Sequence, residues 1–219
     1  TDDVVYVLNR SREDRPDGVR VSMVTIDENF ISEFGSYGEG DGQFIWPTAI
    51  AADSQGQLYV SDEHNNRITV FNASGKFLSK WGEHGSGAGE FDGPSGLAFD
   101  GDDNLYVVDS HNNRVQKYTR DGEFLSSFGS EGAGDGQFDL PWHVTVDAKG
   151  ELYVADWRND RVQRFTPDGD LLAKYGTSGR GDGQLSRPSG VAVDREGFIY
   201  VADWGNERVQ VLDPEGGFV

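Results

Sequence analysis

The 219-residue chain contains no cysteine and a single methionine. That excludes a disulfide framework and a thiolate metal site, and it suits an oxidising or a reducing compartment equally. Basic residues are scarce: 19 Lys and Arg stand against 38 Asp and Glu, for a net charge of −19, and only five of the basic residues are Lys. Phosphate binding relies on clustered Lys and Arg, so this balance argues against nucleic acid and anionic membrane surfaces as partners. No apolar run approaches the ~20 residues that span a bilayer, so no membrane insertion is expected. No basic and apolar N-terminal stretch reads as a signal peptide, and the chain begins at Thr1. Aromatic residues (12%) and apolar residues recur throughout, which argues against disorder. Glycine is abundant: the chain has 30, which is about twice the usual share.

A repeat explains that composition. Pro47, Pro94, Pro141 and Pro188 are spaced 47 residues apart. Arg67, Arg114, Arg161 and Arg208 keep the same step, as do Asp62, Asp109, Asp156 and Asp203, and Gly35, Gly82, Gly129 and Gly176. Four markers locked to one period define a repeat array, so residues 1–219 read as a single domain with no linker.

Each unit carries four short strand signals, a to d. In the unit from Pro94 these are Gly96–Asp100, Leu105–Asp109, Arg114–Tyr118 and Phe124–Gly129. They are rich in β-formers and separated by turn chemistry such as Asp53-Ser54-Gln55-Gly56 and Pro167-Asp168-Gly169. No segment sustains a 3.6-residue period, so no helix is expected. Four antiparallel strands per unit of this length predict a β-propeller. The pattern Pro94-Ser95-Gly96-Leu97-Ala98-Phe99-Asp100, Leu105-Tyr106-Val107-Val108-Asp109, Asn112-Asn113-Arg114-Val115, Asp121-Gly122-Glu123-Phe124-Leu125 and Phe128-Gly129 resembles an NHL repeat, and it returns in every unit. The resemblance implies an all-β propeller of four-stranded antiparallel blades. It says little of function, because NHL propellers include scaffolds, sensor ectodomains, RNA binders and lyases.

The expected layout is a partial first blade over 1–46, full repeats over 47–93, 94–140 and 141–187, and a partial last repeat over 188–219. The first blade lacks strand a and the last lacks most of strand d. About five blades are covered. NHL-type rings usually have six, which at this period takes about 280 residues, so the expectation is an incomplete six-bladed ring, with a five-bladed ring as the rival. An open array exposes strand edges, which invites self-association with another copy.

Positions that recur serve the fold, and positions that vary are free for function. Asp62, Asn66, Arg67 and their counterparts read as a buried Arg–Asp bridge or strand-end hydrogen bonds. The run Gly38-Glu39-Gly40-Asp41-Gly42 is acidic and precedes a strand, so it is not read as a phosphate cradle. Arg180-Gly181-Asp182 owes its Gly-Asp to the repeat. With antiparallel strands, the d–a and b–c connections share one face. Their variable slots hold Trp46, Trp142, His143, Trp157, Arg158, Trp204, His64 and His111, which are the candidate ligand-binding residues. Trp81 sits in the strand-d aromatic slot with Phe34, Phe128 and Tyr175 and reads as packing. The first b–c connection, Asn9 to Arg20, is six residues longer than its counterparts and reads either as a lid or as a tolerated surface insertion.

These readings favour a binding or scaffold module for a peptide, protein or carbohydrate ligand. The alternative is a metal-dependent propeller enzyme. The chain is similar to the NHL-type lyase that cleaves peptidyl-α-hydroxyglycine and holds zinc with histidines directly after the strand-a proline. Here Thr48, Ser95, Trp142 and Ser189 fill those positions, and His143 stands one place late. A calcium-dependent lactonase of related type would need acidic and Asn side chains in the channel. Catalytic residues are not identified, no cofactor is predicted, and zinc or calcium are the ions whose ligand chemistry is present in part, zinc through His64, His111 and His143 and calcium through Asp100-Gly101-Asp102-Asp103-Asn104.

Overall fold

The computed structural model describes residues 4–10 and 18–219. Most of the long first b–c connection, read as a lid or as a tolerated surface insertion, lies outside the described residues. The chain divides into two compact units, 1–95 and 96–219.

In the first unit, β1 (Val4–Asn9), β2 (Arg20–Thr25) and β3 (Phe30–Phe34) form a three-stranded sheet. β4 (Ser36–Tyr37) and β5 (Gln43–Phe44) pair in parallel. β6 (Pro47–Ala52), β7 (Leu58–Asp62), β8 (Arg67–Phe71) and β9 (Phe77–Trp81) form a four-stranded antiparallel meander. In the second unit, β10 (Pro94–Phe99, containing the boundary), β11 (Leu105–Asp109), β12 (Arg114–Tyr118) and β13 (Phe124–Phe128) form the next sheet. β14 (Pro141–Val146), β15 (Leu152–Asp156), β16 (Arg161–Phe165) and β17 (Leu171–Tyr175) repeat it. β18 (Thr177–Ser178) and β19 (Gln184–Leu185) are a second parallel pair. The last sheet is β20 (Pro188–Val193), β21 (Ile199–Asp203) and β22 (Arg208–Leu212), with a bridge from Leu212 to Phe218. The fold is therefore the all-β propeller type: among the described residues there are five blade sheets, with four strands in the middle three.

Two local features differ from the sequence expectation. The d–a connections contain the short parallel pairs, which are too brief to leave a periodic signal. There is no α-helix among the described residues, but Trp157–Asn159 and Trp204–Asn206 each form one turn of 3-10 helix, closed by left-handed Asp160 and Glu207.

Burial follows strand position. All five residues of β7, β11 and β15 are buried, as expected for strands covered on both faces. Most of β9 and β13 is exposed. The cores lie between neighbouring sheets. In the first unit Phe34 and Phe44 pack on Phe71, with ring centroids 4.8 and 5.6 Å away. In the second unit Phe128 and Phe138 pack on Phe165 at 4.9 and 5.6 Å. Trp81 lies 6.0 Å from Phe91, in agreement with a packing role. Val115 and Val162 are fully buried, whereas Val209 in the same slot of the last sheet is 65% exposed.

The recurring polar residues form one device. The buried Asp156 carboxylate accepts hydrogen bonds from Asp139 N, Asn159 Nδ2, Arg161 Nε and Gln163 Nε2 at 2.8–3.2 Å. Arg161 then reaches the carbonyls of Ala133, Gly134 and Gln137 at 2.8–2.9 Å, which pins the d–a connection. Asp203 repeats this with Ser186 N, Asn206, Arg208 and Gln210. Asp109 takes Asn112, Arg114 and Gln116. In the β6–β9 sheet Thr69 replaces the Gln, and Asp62 is satisfied by the backbone N–H groups of Ile45, Trp46 and Asn65 and by Asn65 Nδ2. The predicted Arg–Asp bridge is thus present in three units.

The glycine-acid loops close on their own side chains. The Oε1 atoms of Gln43, Gln137 and Gln184 accept from Gly40, Gly134 and Gly181 N at 2.9–3.0 Å. Strand a is just as tight. A Cβ on Gly96 would stand 2.6 Å from His143 Cα and 2.8 Å from Val144 N, both backbone atoms. Gly96→Ala is therefore expected to lower stability by about 1–3 kcal/mol, while Gly101→Ala, with nothing within 4 Å, stays within about 0.5 kcal/mol of wild type in urea unfolding.

Candidate aromatic cleft

The second unit gathers variable-slot residues into a cleft of about 460 Å³ lined by His111, Leu140, Trp142, Trp157, Arg158, Ser189 and Trp204. The repeat framework builds it. Buried Asp156 ends β15 and opens the 3-10 turn whose first residue is Trp157, and Asp203 does the same for Trp204 one repeat later. The two indoles lie 6.4 Å apart at 46°. Leu140 and Trp142 flank Pro141 at the start of β14, and Ser189 follows Pro188 at the start of β20.

Leu140 and Arg187, each just before a proline, hold left-handed backbones with φ of 50° and 52°. Such a backbone is uncommon for these residues and costs on the order of 1 kcal/mol. It is held by hydrogen bonds from Leu140 N to Asn113 Oδ1 (2.8 Å) and from Arg187 N to Asp160 Oδ1 (2.7 Å). Arg187 lies over the Trp157 ring at 5.1 Å, and Arg158 approaches the same ring at 5.9 Å. Cation–π attraction favours both contacts. Arg158 also pairs with Asp139 at 3.7 Å.

Five of the eight sequence-predicted residues therefore meet here: His111, Trp142, Trp157, Arg158 and Trp204. His143 does not line the cleft. β14 shifts register between Pro141 and His143, and the His143 Nδ1 accepts from Val191 N at 3.4 Å. Trp46 and His64 belong to the first unit. Trp46 lies 4.4 Å under the Arg10 guanidinium, which also pairs with Glu63 at 3.6 Å. His64 is exposed in the β7–β8 turn, its carbonyl accepting from Asn66 Nδ2. Leu140, Arg187 and Ser189 were missed as site residues. Their slots were visibly variable, but Leu and Ser carry no distinctive chemistry, and a lone Arg beside proline reads as surface.

The ion readings can be compared with these placements. Among the described residues no group of three or more His, Asp or Glu is positioned to hold a metal. In the calcium candidate, Asp100 Oδ1 accepts from Asp102 N and from the Asn104 N and Nδ2, and Lys117 pairs with Oδ2 at 3.4 Å. Burial pushes Asp100 up, but these bonds outweigh it and hold the carboxyl below the usual range. Its oxygens are committed to the β10–β11 turn. Burial lifts Asp156 above the ordinary carboxylate value despite its donors, whereas at Asp203 the donors outweigh burial and hold it below.

A family profile described as 6-bladed beta-propeller matches residues 49–129, and an NHL repeat profile matches 138–165 and 185–212. The chain is an all-β propeller in which two stretches match the NHL repeat. It is similar to the B-box type zinc finger protein ncl-1 of Caenorhabditis elegans, 42% identical over 43 residues, which is 20% of this chain and 5% of that protein. In fold it is similar to a catalytically inactive virginiamycin B lyase from Staphylococcus aureus solved with quinupristin, at a TM-score of 0.69 and 15% identity, covering 98% of this chain and 67% of that one. A chain of a nidogen/laminin complex gives a TM-score of 0.69 at 16% identity, covering 99% and 75%. At such identities the two structures share the fold alone.

Burial holds the His143 imidazole below its ordinary pKa. As pH falls through about 6.5 the unfolded chain takes up a proton that the folded chain refuses, so stability drops on acidification. His143→Asn should flatten this dependence: between about pH 7.5 and 5.5 its urea midpoint should fall less than that of wild type. Parallel curves for the two proteins would contradict the assignment.

Proposed function

We propose that this propeller is a binding module that captures a segment of a partner protein in the aromatic cleft. The observation that carries this reading is the convergence of three tryptophans, Trp142, Trp157 and Trp204, with Arg158 around one depression, Arg187 standing against Trp157. Large amphipathic rings beside guanidinium groups are the residues that dominate protein interfaces. The slots that hold them vary between repeats while the framework does not, so their identities are not required by the fold. A carbohydrate is a weaker match: sugar hydroxyls need acceptors as well as donors, and no Asp, Glu, Asn or Gln lines the cleft. The nidogen/laminin complex supplies a case of the same fold in an assembly of two proteins.

The test is a selection of short displayed peptides on the immobilised protein. Wild type should yield a converging set of sequences. Their affinity, measured calorimetrically, should fall about 100-fold or more in the Trp142→Ala, Trp204→Ala double variant, with the melting temperature nearly unchanged. Undiminished binding by the double variant would move the site elsewhere on the propeller.

A further inference from the structure

We infer that the cleft selects an acidic segment, one in which a carboxylate stands beside an aromatic or large apolar side chain. This inference rests on the protein-binding reading above and narrows it. The chain as a whole is strongly acidic, with 38 Asp and Glu against 19 basic residues, yet no carboxylate lines the cleft. The charged side chain that lines it is Arg158, 56% exposed, and a second, Arg187, stands against the lining Trp157 ring. Asp139 partners Arg158 only at 3.7 Å, while among the described residues no carboxylate pairs with the Arg187 guanidinium. The Arg187 guanidinium instead stands 5.1 Å from the Trp157 ring centroid, and its N–H donors suit a carboxylate.

The remaining polar groups point the same way. Among the described residues the indole N–H groups of Trp142, Trp157 and Trp204 have no hydrogen-bond partner, and they are donors with no acceptor capacity. Ser189 Oγ meets Ala202 O only at 3.5 Å. Besides the His111 imidazole and the Ser189 hydroxyl, the cleft therefore offers apolar rings, N–H donors and the positive charge of Arg158, with Arg187 adjoining. The ligand that satisfies all three supplies an apolar side chain and an anionic acceptor side by side. A volume of about 460 Å³ fits a few side chains rather than a folded surface. Local positive charge on an otherwise acidic molecule also confines the attraction to this cleft, because a Debye length of ~8 Å screens the more distant acids at physiological salt.

The experiment uses an array of short synthetic peptides in which a Phe or Trp is flanked by Asp and Glu, by Asn and Gln, or by Lys and Arg. Wild type should retain the acidic peptides about tenfold better than their amide counterparts, and the basic ones least. The preference should shrink as salt is raised. Arg187→Gln should bring acidic and amide peptides to within about twofold while both still bind, with Arg158→Gln as a second, independent variant. Equal retention of acidic and amide peptides by wild type, or an acidic preference that survives both variants, would overturn this inference and leave the protein-binding reading standing. Failure of every peptide class to bind would overturn both.

Discussion

The last four blade sheets of this propeller hang on a buried aspartate at the end of strand b: Asp62, Asp109, Asp156 or Asp203. Asp156 gathers four donors from three directions: the incoming connection, the turn that follows it, and the neighbouring strand. Its partner Arg161 then fixes three carbonyls of the connection. A buried ion pair of this kind gains little over a well-packed apolar pair, and the elevated pKa of Asp156 reflects the cost of removing its charge from water. Its value is positional. Once the carboxylate is in place each surrounding donor has one geometry that satisfies it, and removal of the carboxylate orphans all of them together.

That constraint separates framework from function in physical terms. The residue immediately after the aspartate starts a tight turn whose backbone is fixed, so its side chain is free to change. In one blade it is Ser110, whose Oγ donates to Pro141 O at 2.6 Å; in the next two it is Trp157 and Trp204. The same holds around the strand-a proline, where the Asn113 and Asp160 side chains hold left-handed Leu140 and Arg187. The cleft is a consequence of adjacent repeats placing large residues in slots that other repeats fill with small ones.

The fold was largely legible in the sequence because a 47-residue step shared by Pro, Asp, Arg and Gly leaves few alternatives. The short parallel pairs and the single turns of 3-10 helix were not, since two or three residues leave no periodicity. The site was legible in part. Trp142, Trp157, Arg158, Trp204 and His111 stood out as unusual residues in variable slots, and the shared face of the connections brings them together. His143 stood out for the same reason, but its imidazole is engaged by Val191 N and lies outside the cleft lining. Arg187 was hidden because its importance comes from lying near Trp157, a contact between two repeats that spacing within one repeat does not reveal.

The central claim is that the aspartate device holds the fold and the tryptophan slots do not. Its most direct test compares urea unfolding of two proteins with wild type. One has Trp142, Trp157 and Trp204 replaced by Ser, as Ser95 and Ser110 occupy those slots elsewhere in the chain. The other is Asp156→Ala. The triple replacement should remain within about 1 kcal/mol of wild type, whereas Asp156→Ala should lose about 3–5 kcal/mol. A triple replacement that destabilises the chain as much as Asp156→Ala would make the tryptophans part of the core and contradict the account.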